Sequence, residues 1–473
     1  MVGFSVATWI SFLLSFFSAP ITTRLFVPDE MGRINLFTTF LNLFMMFAYL
    51  GLDQAYVRFY NEPPGKNNSR GVFTICTLCS VAFSVVLSAG ILLFWNPVST
   101  AITGNAGLIV PLLLSVSILA NVLIRFFNLS ARMQSKAMLY SVQTILVALA
   151  GKLFYVIVAF WNPTHVYAIG AMTLSYALIA VALIFVQTRN TFTRHVDASR
   201  GVMKTLFKFA LPLLPVSLLS WLNNSVAQLL LKGYVSYAAI GIYTNAGNIA
   251  NLVALIQAGF NAYWQPFVYE NYKTGNSKIR KVHNLITVAM IAFGLAIVLG
   301  QDVIYLLLGE KYRAGKEFFP FLLLAPICYT IAETTGVGIN IAKKSHLNII
   351  TFVANTGVNL LLCFLLLPRI GVVGAAIAAA ASSIVMLIVK TILGEKYYPC
   401  VGSYLKTFTA VGIIAAAAVC NWLLYAVVWL KYGILVLLLA GLLLLYRREV
   451  AYLWTFGVEV LRDLVKKVRR KKD

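Results

Sequence analysis

Six side chains of this sequence are of a type, and in a setting, that could do chemistry: Arg24, Asp53, Arg58, Arg125, Lys152 and Glu333. Each lies within or at the end of a long apolar run, where an ionised group is costly unless a cavity or a partner receives it. Lys152 is the deepest, near the middle of its run, where its stem cannot easily carry the ammonium to a head group. Arg24, Arg58, Arg125 and Lys152 together would make a cationic cavity suited to an anionic head group, a pyrophosphate above all, because guanidinium and ammonium donors match phosphoryl oxygens. For the three arginines the plainer alternative is snorkelling to head groups. Asp53 and Glu333 are the candidates for a coupling ion or proton, although Asp53 has a simple structural reading as the partner of Arg58 or Arg24.

Other chemistries lack their residues. There is no Walker-type phosphate loop, and His165, His195, His283 and His346 lie far apart with no cysteine or carboxylate at metal-ligand spacing. The six cysteines are scattered, and Cys76 and Cys79 sit inside an apolar run, which suggests packing. No cofactor and no enzyme activity are expected, since no long outside loop is available to house an acceptor site. Trp264, beside Gln265 and Pro266, reads as an anchor at a membrane interface.

The elements that must position these residues follow from composition. Hydrophobic residues make up 60% of the 473, charged residues only 11%, and the mean hydropathy is +0.85. A hydrated globule cannot accommodate that over such a length, and the apolar runs are continuous where barrel strands would alternate. An all-α polytopic membrane protein is expected, with room for about 14 transmembrane helices of roughly 20 residues. The spans fall near 2–22, 34–54, 71–95, 108–128, 139–161, 166–188, 206–230, 238–262, 284–308, 318–341, 347–367, 372–393, 407–429 and 431–446.

The net charge of +23 would suggest a nucleic-acid partner in a soluble chain. Here it is a matter of topology: with the N-terminus inside, most of the 38 Lys and Arg fall on the inner segments. Both termini are therefore expected to be cytoplasmic, and nucleic acid is not an expected partner. Met1-Val2-Gly3-Phe4 has neither a basic n-region nor a cleavage site, so the first span is expected to be retained, with a start further upstream left open.

A hairpin from Leu206 to Tyr272 opens a second half. The expected organisation is an N-terminal bundle over 1–188, a basic linker at 189–205, a second bundle over 206–393, two additional spans in 394–446, and a tail at 447–473. Pro20 in the first span is echoed by Pro212 and Pro215 in the seventh. An offset of 209 sets Gly32 on Gly241, Asn42 on Asn251 and Tyr60 on Tyr269, as a parallel repeat would. In the tail, Val450, Leu453, Trp454, Val458, Leu461, Val465 and Val468 recur at helical spacing among Lys466, Lys467, Arg469 and Arg470. That pattern suits an amphipathic helix on an anionic leaflet, or else a basic stop that sets topology.

Three stretches carry a family resemblance: Gly51-Leu-Asp-Gln-Ala-Tyr-Val-Arg58-Phe-Tyr; Gly241-Ile-Tyr-Thr-Asn-Ala-Gly-Asn248 with Trp264-Gln-Pro-Phe267; and Pro368-Arg-Ile-Gly-Val-Val-Gly-Ala-Ala376. In order and spacing the chain resembles the polysaccharide transporter (Wzx-type oligosaccharide flippase) branch of the multidrug/oligosaccharidyl-lipid/polysaccharide exporter superfamily. The resemblance implies two six-helix bundles in a V shape plus two C-terminal helices. It implies translocation of undecaprenyl-pyrophosphate-linked oligosaccharide across a bacterial plasma membrane by alternating access, for O-antigen, capsule or exopolysaccharide synthesis. The implied partners are the lipid-linked oligosaccharide, H+ or Na+, membrane lipids, and a polysaccharide polymerase and glycosyltransferases. Many relatives end the seventh span in an Asp-Arg pair where this chain has Ala227-Gln228, so a mechanism resting on that Arg does not carry over. The rivals are a drug/cation antiporter of the same superfamily, which would call for a more acidic first-bundle cavity, and a peptidoglycan-precursor flippase, which shares the cationic logic.

Overall fold

Apolar runs that meet lipid have no water to satisfy their backbone, so each closes its hydrogen bonds internally as a helix. The computed structural model describes residues 10, 14, 17–273, 276–344, 346–453 and 455, and the regular elements among them are all helical. In chain order they are α1 (17–25), α2 (Pro28–Tyr49), α3 (Leu52–Arg58), α4 (Ser69–Leu93), α5 (Trp95–Thr103), α6 (Ile109–Met133), α7 (Ala137–Lys152), α8 (Phe154–Ala159), α9 (His165–Thr191) and α10 (Arg200–Ala210). There follow α11 (Leu213–Tyr234), α12 (Tyr237–Ala250), α13 (Ala254–Asn271), α14 (Asn276–Leu299), α15 (Gln301–Leu307), α16 (Phe319–Thr335), α17 (Val337–Ile341), α18 (Leu347–Glu395), α19 (Tyr404–Leu423) and α20 (Val428–Leu445).

Among the described residues, nine helices are long and apolar enough to cross a membrane, or up to eleven if each sharply bent pair counts as one span. Most of the first expected span, 2–22, lies outside the described residues. Two expected spans, 347–367 and 372–393, fall together in the stretch Leu347–Glu395, which is two helices joined across a kink and is counted once among the nine. Ile370 and Gly371 leave helical geometry inside it, Gly371 with φ 56°, at the point where the sequence places a turn. The amphipathic tail expected at 447–473 lies, for residue 454 and from 456 onward, outside the described residues.

Two compact units emerge, Met1–Asn248 with Leu307–Arg313, and Ile249–Leu306 with Ala314–Asp473. The division falls inside α12 and not at the basic linker 189–205, so α11 groups with the first unit. Its contacts explain this: Trp221 Nε1 donates to the Thr39 carbonyl at 3.0 Å, and Lys232 Nζ donates to the carbonyls of Thr100 and Ala101 at the end of α5.

The first unit is cored by aromatic rings. Phe73 on α4 meets Tyr56, Phe126, Phe127 and Phe192 at centroid distances of 5.1–6.2 Å, tying α3, α4 and α6 to the chain that follows α9. In the second unit α16 packs along α18, and fully buried His283 on α14 bridges Thr334 Oγ1 at 2.7 Å and Thr407 Oγ1 at 3.0 Å. The additional helix α19 is thereby bonded into this unit, and α20 packs against α14 and α19.

Candidate functional site

The break between α2 and α3 builds the first site. Leu50 (φ 48°) and Gly51 (φ 74°) both turn left-handed, and the chain restarts as α3 at a bend of 54°. Glycine is required at the second position, because a Cβ there would lie 2.4 Å from the Ala210 carbonyl oxygen of α10. The restart puts Asp53 in the first turn of α3, where the exposed N–H groups favour a carboxylate. There Arg125 of α6 donates to Asp53 Oδ2 from Nη2 at 2.9 Å and from Nε at 3.3 Å, and Gln54 Nε2 donates to the same oxygen at 2.9 Å. Asp53 is thus paired with Arg125, and not with Arg58 or Arg24. Its side chain is 9% exposed and that of Arg125 is 44% exposed, so the pair hides its anion and presents its cation.

Lys152 ends α7, just before Leu153 breaks the helix and α8 begins. A helix C-terminus is a favourable place for an ammonium, which the last carbonyls attract. Gly151 beside it leaves room for Tyr176, whose hydroxyl would sit 2.6 Å from an added Cβ. Arg58 turns away to Glu62 at 2.8 Å, with both side chains largely exposed. Arg24 is exposed on α1. Arg125 and Asp53, expected to act separately, form one unit.

Glu333 belongs to the second unit and has its own partner, Lys390 of α18, at 2.5 Å, with both side chains mostly buried. Gly336 makes room for that lysine: a Cβ at 336 would meet Lys390 Cε at 2.5 Å. Trp264 is not an interface anchor. It is 1% exposed, stacks between Phe260 and Phe267, and donates from Nε1 to the Glu333 carbonyl at 3.1 Å. Gln228, where the resemblance leads one to look for Arg, accepts a hydrogen bond from Thr39 Oγ1 at 2.6 Å. A neutral bond to α2 replaces the ion pair.

Two functional-looking features escaped the sequence reading. Lys390 lies close to the end of its span, where a lysine reads as a snorkelling residue. Glu30, in the first turn of α2, receives the backbone N–H and Nδ1 of His165 at the start of α9, and its other oxygen pairs with Arg33 at 2.9 Å.

Residues 21–316 match the polysaccharide biosynthesis protein family. Over 395 residues the chain is 22% identical to the capsular polysaccharide biosynthesis protein CapF of Staphylococcus aureus, covering 81% of this chain and 95% of that one. The solved structure of the lipid II flippase MurJ in an inward closed conformation is similar with a TM-score of 0.66 at 13% identity, covering 97% of this chain and 100% of that one. An inward-facing multidrug resistance MATE family transporter of the MOP superfamily gives a TM-score of 0.59 at 19% identity, covering 81% and 94%. At such identities these likenesses establish a shared fold. The chain is a multi-pass membrane protein with the fold of the MOP-superfamily transporters, and it belongs to the polysaccharide biosynthesis protein family.

Proposed function

We propose that this chain is a flippase that carries undecaprenyl-pyrophosphate-linked oligosaccharide from the inner to the outer leaflet of a bacterial plasma membrane, by alternating access, for surface polysaccharide synthesis. The observation that carries the reading is Arg125: a half-exposed guanidinium within a membrane span, its counter-anion tucked behind it. Such a group suits a phosphoryl oxyanion better than a cationic drug. The family, and the names of CapF and of the lipid II flippase with the same fold, support the same class of cargo. Arg24, Arg58 and Lys152 join Arg125 as the proposed cationic set, with Asp53 and Glu333 as the proposed H+ or Na+ sites. The bundle scheme of 1–188 and 206–393, and both termini on the cytoplasmic side, complete the proposal. The sugars cross in water while the polyprenyl tail stays in lipid.

The fold is shared with drug transporters, so the antiporter is the reading to beat. The deciding experiment follows the leaflet distribution of polyprenyl-pyrophosphate oligosaccharide in cells lacking the protein, with wild type and Lys152→Ala restored in parallel at equal expression. Inner-leaflet accumulation and loss of surface polysaccharide, rescued by wild type but poorly by Lys152→Ala, is the expected result. Unchanged lipid distribution with altered sensitivity to cationic drugs would replace the flippase with the antiporter.

A further inference from the structure

We infer that the second unit binds a chloride-sized anion between the buried ammonium of Lys431 and the hydroxyl of Tyr305, where α15, the end of α19 and the start of α20 meet. The site is independent of the cargo: it stands whatever the chain carries.

Lys431 lies in the opening turn of α20, its N–H bonded to the Val427 carbonyl at 3.0 Å, and the residue is 1% exposed. An ammonium so far out of water is costly unless an anion or a set of acceptors receives it. Among the described residues Lys431 makes neither an ion pair nor a side-chain hydrogen bond. What its Nζ meets are two rings, with the centroid of Tyr432 at 4.8 Å and that of Tyr425 at 5.6 Å. Ring faces attract a cation but give its three N–H donors no acceptor of full charge. The helix itself makes matters worse, because the start of α20 is its positive pole and carries neither an acidic residue nor a side-chain cap.

The carboxylate of the cluster is engaged elsewhere. Asp302 of α15 accepts from Lys316 Nζ on Oδ1 at 2.5 Å and from the Tyr432 hydroxyl on Oδ2 at 2.6 Å. Lys316 Nζ lies 5.3 Å from the centroid of the Tyr425 ring, so two ammonium groups flank one tyrosine and one carboxylate stands against both. Positive charge is left over. Tyr305 of α15 is also a neighbour of Tyr425, is 2% exposed, and has a buried hydroxyl with no hydrogen-bond partner. An ammonium and a hydroxyl lacking acceptors, beside a surplus cation and a helix N-terminus, form the donor set of a small anion. Burial sets its size: a monatomic ion asks the least of Lys431 and Tyr305, whereas a phosphoryl group would have to part the helices. The way in is past the Lys316–Asp302 pair, whose side chains are 24% and 43% exposed.

The test moves the full chain in detergent between sodium chloride and sodium gluconate at fixed sodium concentration and pH, and reads thermal unfolding together with the chloride NMR line width. Wild type is expected to unfold roughly 2–4 °C higher in saturating chloride, along a hyperbolic curve, since a ligand of the folded chain alone stabilises it by mass action. Lys431→Met is expected to lose that rise and the accompanying line broadening. Tyr305→Phe, which keeps the ring and its packing on Phe319, is expected to need about tenfold more chloride for half the effect, as fits one lost hydrogen bond to an ion. Wild type indifferent to the exchange of anions overturns the inference, whether or not either variant folds, and leaves water as what satisfies Lys431. An equal chloride response in Lys431→Met overturns it too, because the effect would then be one of salt on the whole surface. So does Tyr305→Phe that half-saturates at the wild-type concentration.

Discussion

Gly32 and Gly241 touch as a reciprocal pair where α2 crosses α12. A Cβ on Gly32 would lie 1.9 Å from the Tyr237 carbonyl oxygen, and a Cβ on Gly241 would lie 2.2 Å from the Pro28 carbonyl oxygen. Residues 28 and 237 stand 209 apart, as do 32 and 241. Each glycine therefore meets the partner of the residue four before it, the signature of a local two-fold axis. The offset that sets Gly32 on Gly241 in the sequence is the offset that brings them together in space.

Gly32→Ala and Gly241→Ala are each expected to force the two backbones apart, at a cost of about 1–3 kcal/mol for overpacking. The same separation relieves both clashes, so the double variant is expected to lose less than the sum of the single losses. Thermal unfolding of the purified variants in detergent reads this directly. Additive losses would mean that the two positions do not share one crossing.

Asn421, fully buried on α19, accepts from Gln301 Nε2 at 2.7 Å and donates to the carbonyls of Lys316 and Glu317 at 3.0 and 2.9 Å. Asn421→Leu strands the buried Gln301 amide and two part-buried carbonyls, and a buried group left unmade costs about 1–3 kcal/mol. Hydrogen exchange is expected to quicken in the turn at Glu310–Glu317 and at the end of α19, with little change at the opposite end, where Lys406 and Asn284 both bond Glu449. Uniform quickening along α19 and α20 would show that the helices are not held end by end.

The loop after α3 is stapled to the linker after α9. Asn67 Nδ2 donates to the Asp197 carbonyl at 2.8 Å, the Asp197 N–H donates to Asn67 Oδ1 at 2.9 Å, and the carboxylate accepts the N–H groups of Lys66 and Ser199. Those two N–H groups hold the Asp197 carboxyl below the usual carboxylate range. A carboxyl depressed in the folded chain stabilises it above the pKa of the unfolded chain, and that contribution fades as pH falls through the folded value. Limited proteolysis at the linker is therefore expected to be slow near neutrality and to speed up as the solution is acidified below about pH 4. Asp197→Asn should be cut quickly at neutral pH and show little further change on acidification. A wild-type linker cut equally fast across that range would remove the carboxylate from the staple.

The long apolar runs and the 209-residue offset were legible in the sequence, because each is a property of a segment taken alone or of two segments compared. The breaks were harder. The turn at Gly51 and the stop at Leu153 interrupt runs whose composition continues across them, and the Gly51 turn is pressed against a distant backbone, the Ala210 carbonyl of α10. Pairing was hardest. Asp53 has Arg58 five residues away, within easy reach on paper, yet the bend turns it to Arg125, 72 residues on. Trp264 carries the composition of an interface residue, but its indole N–H finds a buried carbonyl and its rings find Phe260 and Phe267. Which neighbour a charge or an indole meets depends on helix crossings that no single stretch encodes.

Glu333 and Lys390 provide the sharpest separation of structural from functional charge. Their side chains are 16% and 12% exposed, so removing either one leaves an uncompensated ion, a loss of about 3–5 kcal/mol in a buried setting. Glu333→Gln and Lys390→Met are each expected to destabilise the second unit strongly. The double variant should recover most of that loss, because a neutral pair of similar volume needs no counter-charge. Transport by the double variant then assigns the role. Near-normal flipping with restored stability would make the pair a structural clamp between α16 and α18. Restored stability with flipping abolished, or flipping no longer responsive to the ion gradient, would make Glu333 the coupling site that its place within a span suggests.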